Sequence, residues 1–218
     1  MVNKMSFNNV VIFGDSYSTF AGYIPDGYSV YYSESRTVGP DVRRVTETWW
    51  YRLMEETDSK LIHNNSWSGS PVCSTGYNNS DCSSSSSFIY RLDKLGAEGF
   101  WADKKVDTIF VFGGTNDSWA NSPVGELMYS DWEKKDLYSV LPAFSYFLKR
   151  LREVFPESRI VCLINTELKE EITNGFVAAS EHYDCEYVKF DRIDKISGHP
   201  TIKGMNDIKE QIMDKLCK

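Results

Sequence analysis

The feature that most constrains this chain is a set of short apolar runs spaced far apart. Val10-Val11-Ile12-Phe13, Thr108-Ile109-Phe110-Val111-Phe112 and Ile160-Val161-Cys162-Leu163-Ile164 are β-branched or apolar at consecutive positions. Each is too short for a buried helix and does not alternate as a half-solvated strand would, so each reads as a strand buried on both faces. Leu61-Ile62-His63 and Tyr187-Val188-Lys189-Phe190 add two weaker strands.

Between the runs lie helical patterns. Leu137, Leu141, Phe144, Leu148, Leu151 and Phe155 recur at steps of four and three, one stripe of an amphipathic helix. Pro142 falls near its first turn, where a missing N–H is tolerated, and Pro156 marks its end. Met205, Ile208, Ile212 and Leu216 form a second stripe, and 49–54, 88–95 and 168–183 supply weaker helices. Strand–helix alternation predicts a parallel sheet covered on both faces. The expected fold is a three-layer α/β/α sandwich with five parallel strands in flavodoxin-like order.

At 218 residues, one core can serve the whole chain, so residues 1–218 are expected to form one domain. Two stretches, about 17–47 and 117–136, are too long for plain connections and too rich in Tyr and Trp for disorder. The net charge of −7 disfavours a bulk electrostatic grip on nucleic acid or an anionic membrane. No apolar run approaches the ~20 residues of a spanning helix, and the start has no signal-peptide h-region. A cytoplasmic location is therefore expected. Five cysteines without a repeating spacing suit a reducing compartment. Cys73 and Cys82, which flank a polar loop, are the pair close enough to bridge.

In open α/β sheets, ligands bind beyond the carboxyl ends of the strands. Those positions read Gly14-Asp15-Ser16, Asn65-Ser66-Trp67-Ser68-Gly69, Gly114-Thr115-Asn116-Asp117 and, before the last helix, Ser197-Gly198-His199-Pro200. Taken singly, each has an ordinary use. Asp-Ser makes turns, asparagine caps helices, and a histidine before proline can be a surface residue. Together they supply a hydroxyl nucleophile, a base and oxyanion donors on one sheet edge. His63, inside a strand, is better read as packed or edge-exposed, and His182, near a helix C-terminus, as solvated or dipole-stabilised.

The four blocks resemble those of the SGNH (GDSL-type) hydrolases, in the same order and over nearly the whole chain. The resemblance implies a serine esterase or acylhydrolase. Ser16 matches the nucleophile, Gly69 and Asn116 match oxyanion-hole donors together with the Ser16 N–H, and His199 matches the base. It implies no cofactor and no metal. Its expected partner is a small-molecule or glycan ester, and acetyl esters of a carbohydrate or similar polar alcohol suit the aromatic, hydroxyl-rich loops best. A lipase or thioesterase on the same residues, and a glycan-binding module without catalysis, are the alternatives. One position departs from the family pattern. The aspartate usually found three residues before the histidine is Ile196 here, and the nearest acid is Asp194. A main-chain carbonyl near Ile196 is expected to orient His199, with Asp194 dispensable and Lys195 placed to neutralise it.

Overall fold

In a computed structural model of the protein, which describes residues 6–217, the apolar runs form five parallel strands. They are β1 (Asn9–Gly14), β2 (Lys60–Ser66), β3 (Thr108–Phe112), β4 (Arg159–Ile164) and β5 (Glu186–Lys189), in the order β2-β1-β3-β4-β5. β1 and β3 are the inner strands about which the order reverses, which places the crevice for a ligand at their carboxyl ends.

Buried strands split their side chains between two cores because successive residues face opposite ways. Val11, Phe13, Ile109, Val111, Ile160 and Cys162 pack on one side against α2 (Phe88–Ala97), α4 (Val140–Val154) and α5 (Glu170–His182). Val10, Ile12, Phe110, Phe112, Val161 and Leu163 pack on the other against α1 (Trp49–Thr57) and α6 (Ile202–Leu216). The three layers are thus as the sequence predicts.

The Leu137 stripe begins one turn late as an α-helix. Asp136–Tyr138 is a separate 3-10 turn, and α4 starts at Val140 with Pro142 in its first turn. Two elements have no counterpart in the apolar patterning. One is the short helix α3 (Thr115–Trp119), and the other is an antiparallel hairpin of β6 (Lys195–Ile196) and β7 (His199–Pro200). The hairpin loop is Ser197-Gly198, with φ of +51° and +77°. Positive φ at both central residues is the tight turn that matches strand twist, and it calls for glycine at one of them. All five cysteines are free, Cys73 and Cys82 included, so the bridge considered for that pair does not form. No described helix is long and apolar enough to cross a membrane.

Candidate active site

Asp15 opens a single 3-10 turn, Ser16–Ser18, at the end of β1 and caps it by accepting the Tyr17 N–H. This aims Ser16, which is nearly buried, at the sheet edge. The loop behind it is pinned by Trp50 Nε1 and Asn64 Nδ2, which both donate to the Ser18 carbonyl (3.0 and 2.8 Å). Burial pushes the Asp15 carboxyl up to about 7, with nearby Asp117 adding to the rise. The Tyr17 N–H, the Thr115 hydroxyl and Arg91 oppose it.

His199 arrives from the hairpin. Its Nε2 lies 3.0 Å from Ser16 Oγ, and its Nδ1 lies 3.1 Å from the Ser197 carbonyl. A carbonyl can only accept, so Nδ1 carries the proton and Nε2 presents its lone pair to the serine. Asp194 is turned away from the ring. Its carboxylate accepts from the Thr201 hydroxyl, and Thr201 in turn caps α6. Lys195 does not neutralise Asp194 as expected, because it reaches across to Thr166 Oγ1 (2.6 Å) and Glu167 (3.1 Å). The hairpin directs its side chain over the sheet edge. Burial leads the forces that push His199 down to about 4; Arg36 and Lys195 add to the fall, and the Ser197 carbonyl opposes it.

The other two predicted residues converge on the same edge. Asn116, buried in α3, donates from Nδ2 to the Ser70 carbonyl (3.0 Å) and accepts the Tyr77 hydroxyl at Oδ1 (3.0 Å). Those bonds fix which way the amide faces and leave one Nδ2–H free. Gly69, at φ +85°, is exposed with nothing near its Cα face. Neither the Ser16 N–H nor the Gly69 N–H has an acceptor among the described residues. Three donors thus stand uncommitted at the sheet edge where Ser16 contacts His199.

Two buried charged residues to which the sequence assigns no role hold this geometry, Arg91 outside the four blocks and Asp117 within the third. Arg91 is fully buried on α2. It donates to the Gly14 carbonyl (3.2 Å), Ser70 Oγ (3.1 Å), Asn65 Oδ1 (2.6 Å) and the Asn65 and Ser86 carbonyls. Burial pushes its guanidinium down to about 9. Asp117, also fully buried, accepts the Val72 and Cys73 N–H groups at 2.9–3.0 Å. A polar residue inside the Phe88, Leu92, Leu95 stripe was the available signal for Arg91. Cys73 offers no rival nucleophile, since burial raises its thiol far above the usual range. His63 packs against Phe100 and Trp101, and His182 stacks on Tyr129. Of the 17–47 loop, Tyr17, Phe20 and Tyr32 are core residues, whereas Tyr23 is exposed. Trp119 is 42% exposed, and Tyr77, whose hydroxyl bonds Asn116, is 41% exposed.

No group of His, Cys, Asp and Glu among the described residues is arranged to hold a metal ion. No curated protein matches the chain. Among solved structures, a protein of Bacteroides ovatus assigned as a GDSL-like lipase is 43% identical, covers 98% of this chain and 99% of its own, and superposes with a TM-score of 0.90. A second such assignment, from Bacteroides uniformis, is 42% identical over 96% and 95% of the two chains, with a TM-score of 0.89. A family two carbohydrate esterase from Clostridium thermocellum, solved with cellohexaose, shares the fold at 15% identity and a TM-score of 0.65, over 98% of this chain and 66% of that one. The GDSL-like lipase/acylhydrolase family model matches residues 8–216. The chain therefore belongs to the GDSL-like lipase/acylhydrolase family and is an ester hydrolase.

Proposed function

We propose that the protein hydrolyses short acyl esters, acetyl above all, of a carbohydrate or similar polar alcohol. The observation that carries this reading is the 3.0 Å contact between His199 Nε2 and Ser16 Oγ beside uncommitted donors. Ser16 Oγ attacks the ester carbonyl as His199 Nε2 takes its proton. The negative charge that develops on the carbonyl oxygen is received by the Ser16 and Gly69 N–H groups and the free Asn116 Nδ2–H. His199 then gives the proton to the leaving alcohol. Water, deprotonated by the same nitrogen, attacks the acyl-serine and returns the enzyme to its starting form. The Ser197 carbonyl holds the Nδ1 proton throughout, in the place an aspartate would take.

The preference for a polar alcohol rests on the rim. Tyr77 and Trp119 are each partly exposed aromatic side chains that carry a polar atom, a chemistry that suits a sugar ring better than a long acyl chain. Hydrolysis of carbohydrate esters is named for a distant relative of the same fold. A panel of acetyl, butyryl and longer p-nitrophenyl esters, with acetylated xylan and peptidoglycan fragments, tests both parts. Turnover that favours acetyl and vanishes in Ser16→Ala is expected. Equal inactivity of wild type and mutant across the panel would favour a glycan-binding role, and a preference for long chains would favour a lipase.

A further inference from the structure

The usual aspartate orients the ring of the base and supports its positive charge. The Ser197 carbonyl holds Nδ1 within the ring plane, but Ser197 is an exposed turn residue and packs nothing against the ring face. That face is covered from elsewhere. The Tyr31 ring lies parallel to the His199 ring, 3.6 Å between centroids and 7° between planes. On Tyr31's side, the Arg36 guanidinium sits 3.8 Å from the Tyr31 centroid and donates to the Tyr31 carbonyl at 3.0 Å. Resting on the assignment of His199 as base, we propose that Tyr31, backed by Arg36, is a positioning residue that shares the aspartate's part with the Ser197 carbonyl in this enzyme, and that the pair selects for a neutral base.

The chemistry of the sandwich differs from that of a carboxylate. An aspartate favours imidazolium by opposite charge, whereas this stack offers only the face of one aromatic ring. Arg36 already draws on that same ring, and its positive charge opposes a second one nearby. The other groups around His199 do not offset this. Tyr17 (5.6 Å between centroids) and Trp119 (5.5 Å) present neutral rings, Ser16 presents a hydroxyl, and Lys195 adds another cation whose partner is Glu167. The low value of about 4 for His199 follows the same direction. The base is therefore held flat and kept unprotonated over a wide acid range, at the cost of weaker support once it takes the serine proton.

Tyr31→Leu, Tyr31→Phe and Arg36→Gln separate these roles. The readouts are kcat and KM for p-nitrophenyl acetate against pH, and the NMR titration of the three histidines with His199 assigned by His199→Gln. Tyr31→Leu is expected to lower kcat about tenfold with KM little changed, and Tyr31→Phe is expected to restore it, since the ring and not the hydroxyl makes the stack. Arg36→Gln is expected to move both the acid limb and the His199 titration upward, toward the ordinary value of ~6.5. A Tyr31→Leu enzyme equal to wild type in kcat, or an Arg36→Gln titration that does not move, overturns the proposal. If Tyr31→Leu fails to fold, the Arg36→Gln titration decides alone. Absence of Ser16-dependent turnover in the wild type would instead refute the base assignment, while the titration would still report whether the stack governs His199.

Discussion

The two halves of the site are held in opposite ways. The half around Asn116, which we propose as the oxyanion half, is built from buried charge: Arg91 ties the ends of β1 and β2 to Ser70, and Asp117 grips the N–H groups of Val72 and Cys73. The half around His199, the proposed base half, is built from rings and main-chain carbonyls. Tyr17 and Tyr32 donate to the carbonyls of Gly198 and Pro200 (2.5 and 2.8 Å) on either side of His199, and Tyr31 covers its face. Donors that must meet a developing charge need fixed positions, and buried ionic hydrogen bonds supply that rigidity. Packing and main-chain acceptors hold the imidazole in place without the charge support that a carboxylate gives its protonated form. The contrast predicts that the first half fails through stability and transition-state binding, and the second through the ionisation of one imidazole.

The largest effect is expected at Arg91. Arg91→Met removes the buried donor from the Asn65 carbonyl, Asn65 Oδ1 and Ser70 Oγ, while the Gly14 carbonyl keeps the Trp67 N–H, and each buried acceptor left unpaired costs about 1–3 kcal/mol. Urea unfolding should register a fall of at least ~3 kcal/mol; a fall under ~1 kcal/mol would mean that the oxyanion half does not rely on this charge. Asn116→Ala comes next, with kcat lowered about 10²–10³-fold and KM nearly constant, because its hydrogen bond matters in the transition state. A raised KM with kcat preserved would make Asn116 a ground-state contact. Asp194→Asn should be the mildest, within about tenfold of wild type in steady-state kinetics, since its carboxylate engages Thr201 and not the imidazole. A loss nearer ~10⁴-fold would restore an acid to the base half.

The same contrast explains what the sequence made legible. The strands were readable because residues buried on two faces leave a run with no alternation, and 108–112 and 160–164 do so plainly. The four candidate residues could be placed at one sheet edge because each follows a strand or precedes a helix there. Arg91 was harder, since its partners are backbone carbonyls from β1, β2 and the loop before its own helix, which leave no mark in residue type. The hairpin that delivers His199 was harder still. Two residues per strand give no periodicity, and only Ser197-Gly198 between them hints at a turn. The expectation that a carbonyl near Ile196 would face the ring agrees with the Ser197 contact. The Tyr31 stack lies 168 positions from its partner and was visible only as part of an aromatic loop with mixed core and rim roles.

The central claim, that His199 works as a base without a carboxylate, is tested most directly by the acid limb of wild-type kcat/KM on p-nitrophenyl acetate. Activity requires the neutral ring, and a lowered value keeps the ring neutral further into acid, so activity should persist below pH 6 and fall through a limb near pH 4. A carboxylate bonded to Nδ1 would favour imidazolium and raise the limb. A limb at or above ~6.5, the ordinary histidine value, would contradict the account.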